Sequence, residues 1–269
     1  MDGVRDRHAV TAGRRRAQRP RAHAIRSWLE LAGLAERLAG GEWVFRGEPA
    51  GGNYLRPGSG RLGVDAGTRR PEPFTDREER AALERFKTDA LPHLTYRPPW
   101  DHDLEWLAIA QHHGMQTRLL DWTESLLIAA FFAVESAGSG GTAVIYGVQG
   151  LPVVGPAADP FKLRKVSLYR PPRLTPRIAP QWSVFTVHPR PAEDLRRHAR
   201  LTTWTLDGAD TCQWIRLVLD SCGINSASIY PDLDGLARHI YWRYRRGMSQ
   251  TKLQSAARTP RRPAAGSRA

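Results

Sequence analysis

Cysteine is scarce in this chain: Cys212 and Cys222 are the whole complement. Two cysteines without a CxxC spacing give no disulfide framework and no zinc knuckle. A reducing cytoplasm is the simplest setting for them. Long apolar runs are also lacking. No stretch approaches the roughly 20 residues that a membrane span needs, and the first residues hold no apolar signal-peptide core, so no membrane association and no export by that route is expected. Lysine is nearly missing, with 4 Lys against 36 Arg. That imbalance points to codon bias rather than to selection for phosphate contacts. No internal repeat is present.

The chain does have basic charge, +13 over 269 residues. Its position matters more than its size. Residues 1–26 hold eight Arg against Asp2 and Asp6, and residues 243–269 hold seven Arg and Lys252 with no acid. The middle keeps 24 basic and 25 acidic residues, so it is close to neutral. Residues 1–22 and 247–269 are predicted to be disordered basic tails around one domain over 23–246. Such tails can attract nucleic acid through counterion release, or they can be plain solvated ends.

Periodicity predicts an α+β domain, a small mixed or antiparallel sheet packed by several helices. Apolar residues at three-and-four spacing predict a helix over about 23–39, stopped by Gly40-Gly41. Residues 42–47 read as a short strand and 49–73 as a long loop. Thr75 and Glu78 form a capping box that opens a helix to about 91. A further helix is expected from Asp101 to Gly114. Another capping box, Asp121 to Glu124, predicts a helix through Ser136. Strands are expected at 142–148, 184–188 and 201–206, with irregular chain over 150–180. Helices at 210–222 and from 231 to 246 frame a last short strand at 226–230, with Asp232 and Asp234 as helix caps.

The segment Gln111-His-His-Gly-Met-Gln-Thr-Arg-Leu-Leu-Asp-Trp122 concentrates polar chemistry between two apolar stretches. Gln111, His112, Thr117, Arg118 and Asp121 are too many ionisable and amide groups for a routine connector. His112 is a candidate general base. His113, beside Gly114, fits a helix C-terminus on dipole grounds. The two histidines point about 100° apart on a helix, and no further ligand stands at a metal spacing, so no metal is expected. Arg118 and Asp121 admit two readings: a buried pair locking a corner, or an anion-binding Arg oriented by its acid. Arg46 ends a predicted strand before a glycine, where it could fork onto phosphate or carboxylate, or pair with a buried acid such as Asp121. Gln181 offers both a donor and an acceptor for a polar ligand edge, or a backbone bond at a strand edge. Phe185, Tyr169 and Arg177 are secondary candidates.

Three blocks carry a family resemblance: Trp43-Val-Phe-Arg-Gly-Glu48, Leu107 through Thr123, and Ala129-Ala-Phe-Phe-Ala133. With Arg177-Ile-Ala-Pro-Gln-Trp-Ser-Val-Phe-Thr186 and Ile229-Tyr-Pro-Asp-Leu-Asp-Gly-Leu236, they resemble the FRG domain, named for its Phe-Arg-Gly triplet, over about 25–245. The family commonly has Gln where Glu48 stands and Pro where Gln116 stands. The Arg-Gly strand end also resembles ADP-ribosyltransferases, in which such an Arg grips the pyrophosphate or ribose of the cofactor. That resemblance stops at Arg46, because no Ser-Thr-Ser-like strand and no catalytic Glu are found.

Together these readings predict one cleft holding Arg46, the 111–121 joint and the 177–185 segment. Two functions follow. One is an NAD-using ADP-ribosyltransferase-like enzyme of bacterial defence or toxin biology. In it Arg46, Gln111 and Arg118 would bind the cofactor, and His112 and Gln181 would serve catalysis. The other is a non-catalytic nucleotide- or nucleic-acid-binding module with basic tails. The oligomeric state cannot be read from the sequence.

Overall fold

A computed structural model describes residues 23–50, 55–61, 73–137, 141–172 and 178–246. The expected tails, residues 1–22 and 247–269, and the candidate Arg177 lie outside the described residues. Eight strands form one sheet: β1 (His23–Ile25), β2 (Val44–Pro49), β3 (Leu119–Thr123), β4 (Ala143–Val148), β5 (Val153–Val154), β6 (Ser167–Tyr169), β7 (Ser183–Val187) and β8 (Thr202–Leu206). The helices are α1 (Trp28–Leu38), α2 (Asp76–Ala90), α3 (Asp103–His112), α4 (Leu126–Ser136), α5 (Ile178–Gln181), α6 (Ala209–Ser221), α7 (Ser226–Ile229) and α8 (Leu233–Arg245). Among the described residues, no helix is long and apolar enough to cross a membrane.

The α+β class and the mixed sheet are as the sequence predicts, and the sheet is larger than expected. Its order is β1-β8-β4-β2-β3-β7-β6-β5. The outermost pairs, β1–β8 and β5–β6, are parallel, and the pairs between them are antiparallel. The sheet has a seam in its middle. β2 pairs with β4 at six positions and β3 with β7 at five, but β2 meets β3 only at Phe45 and Thr123.

Three apolar clusters hold the layers together. Phe45, Ile145 and Trp204 join α1, α4 and α6 on one side of the seam. Leu119, Phe185, Val187 and Tyr169 pack under α2 and α3 on the other. Val44, Leu120, Trp122, Tyr146 and Val184 bury the opposite sheet face under Leu55, Leu195 and Leu201. Alternation along β2 and β3 sends successive residues to opposite faces, and so into different clusters.

Several sequence expectations need correction. Residues 23–25 are a strand parallel to β8, and the helix begins only at Trp28, where the Ser27 hydroxyl accepts from the Glu30 amide. The predicted box at Asp121–Glu124 is not a cap: those residues run into and just past strand β3, and α4 starts at Leu126 with Ser125 as its cap. Asp101 does not cap α3, which begins at Asp103 after His102. Residues 226–229 are helix, opened by a capping box between Asn225 and Ser228. The 150–180 stretch includes β5, β6 and the start of α5. The Thr75–Glu78 box and the Asp232 cap stand where the sequence places them.

Candidate functional site

Strand β3 organises the site, and its two ends differ. At its N-terminal end lies the polar joint. Arg118 has no exposed surface, and all three guanidinium nitrogens are engaged. Its Nε donates to Glu79 at 3.2 Å, Nη1 to the Pro160 carbonyl at 3.2 Å, and Nη2 to Asp76 at 2.6 Å and Glu79 at 3.0 Å. The Arg118 backbone amide also donates to Glu79 at 2.6 Å. The Phe161 ring stacks 4.0 Å from the guanidinium. Burial pushes the Glu79 carboxyl above its ordinary range, while the Arg118 cation and its N–H donors pull against that shift. Arg118 therefore clamps α2 to β3 and faces no cleft, and its acids are Glu79 and Asp76 rather than Asp121. Beside it, the Thr117 hydroxyl donates to the Gln111 side chain and accepts from the Leu119 amide. Gln111 and His112 end α3, where Gly114 takes the left-handed turn at φ 92°.

At the other end lies the seam. Arg46 is 17% exposed. Its Nε donates to Glu48 at 2.7 Å, and its Nη1 donates to the Asp121 carbonyl at 2.8 Å. The Asp121 carboxylate, 61% exposed, stands 4.0 Å away. Arg46 thus bridges the two half-sheets where their ladder stops. Its Nη2 has no partner among the described residues. Glu48 is buried, and its second oxygen is likewise without a partner there. One cation and two carboxylates meet at the seam, so it is not a plain anion site.

The three residues at 45–47 have three separate tasks. Phe45 fills the α4 core. Arg46 bridges the seam. Gly47 lets α4 come close: a Cβ there would lie 1.8 Å from the Ala129 carbonyl oxygen and 2.6 Å from the Ala133 nitrogen. Ala129, Ala130 and Ala133 keep the facing side of the helix equally small.

Thr123, the last residue of β3, donates through its hydroxyl to the Gln181 carbonyl at 2.7 Å. The Gln181 amide donates to the Ile229 carbonyl at 3.2 Å, and its side-chain oxygen accepts from Ser183. Gln181 therefore braces the α5 turn with its side chain. The next residue, Trp182, is 52% exposed and has φ 49°, a left-handed conformation that is costly for a bulky residue. Its carbonyl is held by the Glu124 amide at 3.1 Å. Trp182 lines a cavity of about 550 Å³ with Glu124, Ser125, Ile128, Pro180 and Ile229.

The candidate residues fall into two groups along β3, and neither Arg46 nor Gln181 lines the cavity beside Trp182. Arg46 bonds to Asp121 in the middle of β3, and Gln181 to Thr123 at its C-terminal end. Arg118 immediately precedes β3, about 10 Å of strand before Asp121, with Gln111 and His112 on its side. Phe185 and Tyr169 are buried under α2 and α3. Trp182 and Glu124 were not singled out from sequence. Trp182 betrays itself only through its backbone, and Glu124 looked like part of a capping box. Among the described residues, no group of three or more His, Cys, Asp or Glu could hold a metal ion.

Residues 41–140 match the family model of the FRG domain. An FRG domain is present over those residues. The match spans Phe45-Arg46-Gly47, β3 and all of α4. No curated protein and no solved structure matches the chain.

Proposed function

We propose that the FRG domain binds a nucleotide at the C-terminal end of β3, with NAD as the ligand that fits best, in an ADP-ribosyltransferase-like enzyme. The observation that carries this reading is Trp182. A half-exposed indole held in a left-handed backbone is a cost the fold bears beside a cavity of about 550 Å³, within the usual size of small-molecule sites. An aromatic ring of the ligand would lie against Trp182. Glu124, Ser125 and Ser228 provide polar groups on the cavity wall.

Arg46 and its two carboxylates suit a ribose better than a bare phosphate cluster. Carboxylates accept from ribose hydroxyls, while the unpartnered Arg46 nitrogen can reach one phosphate oxygen. Transfer from NAD breaks the bond between the ribose anomeric carbon and the nicotinamide nitrogen. Nicotinamide leaves with the bonding electrons, and an acceptor nucleophile bonds the same carbon. Positive charge builds on the ribose in between, and the carboxylates at the seam would stabilise it electrostatically. Gln181 then acts as a positioning residue for Trp182. His112 and Arg118 take no part.

Purified protein is incubated with NAD, and nicotinamide release is followed by chromatography. Release that Arg46→Ala and Trp182→Ala each lower at least tenfold supports the reading. No release by the wild-type protein, together with no NAD-dependent thermal shift, would sink it.

A further inference from the structure

A second cleft lies at the C-terminal end of α4. The cleft between α4, α6 and α8 encloses about 750 Å³, and its lining includes Arg216, Arg238, Arg245, Arg246, Tyr241 and Trp242. None of these four arginines forms an ion pair among the described residues. The carboxylate that lines the cleft, Glu135, already accepts from the Ser226 hydroxyl at 3.0 Å and the Tyr230 hydroxyl at 2.9 Å. Asp220, nearby on α6, faces His239 at 3.6 Å and Arg243 at 3.5 Å instead. The cleft therefore keeps a cationic excess within a domain that is nearly neutral overall.

The cations are layered with rings. Arg216 and Arg246 lie 4.8 and 5.3 Å from the Trp242 ring centre. Arg245 lies 5.9 Å from the ring centre of Tyr241, which is mostly exposed. Guanidinium planes and aromatic rings are the two surfaces on which unpaired bases stack, and arginine forks match phosphate oxygens between them. A bare anion site would not need the rings. A duplex would hide its base faces from the cleft. The sequence that follows α8 continues with Lys252, Arg258, Arg261, Arg262 and Arg268 and no acid.

We propose that the α4–α6–α8 cleft binds single-stranded nucleic acid, with Tyr241 as a base platform and Arg238, Arg245 and Arg246 on the phosphates. This site is separate from the one at Trp182 and does not depend on it. The test uses the full chain and fluorescein-labelled single-stranded DNA and RNA of about 12 nucleotides, a length within the usual span of such sites. Anisotropy is read at several salt concentrations between about 50 and 200 mM. Tyr241→Leu and Arg245→Glu each change an exposed side chain and leave the basic tails intact.

Both substitutions are expected to weaken binding about tenfold or more, and Arg245→Glu should also flatten the salt dependence. An equal-length duplex should bind more weakly than the single strand. The proposal is overturned if both variants bind like wild type, which would leave the attraction to the tails alone. It is equally overturned if the duplex binds as tightly as the single strand, if the wild-type chain binds phosphatidylserine vesicles and no oligonucleotide, or if it binds neither.

Discussion

Arg118 and Arg46 meet β3 three residues apart, at its start and at Asp121, and both meet carboxylates, yet their surroundings make them different devices. Arg118 is fully buried, has two acids and a carbonyl on its three nitrogens, and presses on the Phe161 ring. Nothing is left over for a ligand. Arg46 is partly exposed, hydrogen-bonds to one acid and one carbonyl, and keeps a nitrogen without a partner among the described residues. The number of satisfied donors, rather than the residue type, separates a structural arginine from one available to bind. The most polar stretch of the sequence proves to be largely architecture at its Arg118 end. The guanidinium with a donor to spare among the described residues lies where the sheet ladder lapses.

The sharpest way to break this contrast is Arg118→Ala. It leaves Glu79 buried without its cation, which should cost about 3–5 kcal/mol in urea unfolding. Arg46→Ala leaves the buried Glu48 without its donor, but at a partly exposed site with one acid hydrogen-bonded rather than two, and should cost less, about 1–3 kcal/mol. Equal losses would refute the division of roles. Gly47→Ala comes next. Its new methyl would run into the α4 backbone and should destabilise by about 1–3 kcal/mol. A neutral outcome would mean that α4 does not lie as close to β2 as described.

His188, on the Arg118 side of the sheet, gives a pH test. It is buried beside Thr186 at 2.9 Å, its Nδ1 has no partner among the described residues, and desolvation pulls its pKa down to about 3. The unfolded chain binds this proton near pH 6.5 and the folded chain does not. The stabilisation is therefore complete above about pH 6.5 and is lost as pH falls from there towards 3. The slope from this one group is about 1.4 kcal/mol per pH unit. His188→Leu should remove that part of the slope, and an unchanged slope would contradict the assignment.

The smallest expected effect sharpens the seam. Glu48→Gln keeps an oxygen to accept from Arg46 Nε but removes the charge, which leaves the guanidinium cationic toward a ligand. Affinity for inorganic pyrophosphate, which carries no ribose for Glu48 to hold, should rise about tenfold, or about 1.4 kcal/mol, read by calorimetry. A fall in affinity would show that the Glu48 charge itself contributes to binding.

Local signals were legible in the sequence and distant ones were not. Thr75 with Glu78, the apolar run at 143–148 and the alternation at 202–206 each specify an element within a few residues. Asp121-Trp-Thr-Glu124 misleads because a capping pattern and a strand pattern overlap there. Pairing with β7, more than 60 residues later, decides it. Asn225 and Ser228 made a box that was overlooked in favour of a strand, and Ile25 seemed to continue a helical stripe that Ser27 in fact begins. The Arg118–Glu79 clamp joins residues 39 apart in sequence, and no spacing rule predicts it. The Trp182 backbone leaves no mark in composition at all. Arg46, Gln181 and His112 each stand out in the sequence as a polar residue beside an apolar element, and that signal alone does not separate them.

The most direct test of the account is NAD titrated into wild-type protein, Arg46→Ala and Trp182→Ala, with heat and tryptophan fluorescence recorded together. The account predicts saturable binding to the wild-type chain with quenching of indole emission. It predicts weakening of about tenfold or more in Arg46→Ala, and loss of the quenching in Trp182→Ala. Wild-type binding that neither substitution weakens, or no binding at all, would contradict the placement of the site at the C-terminal end of β3.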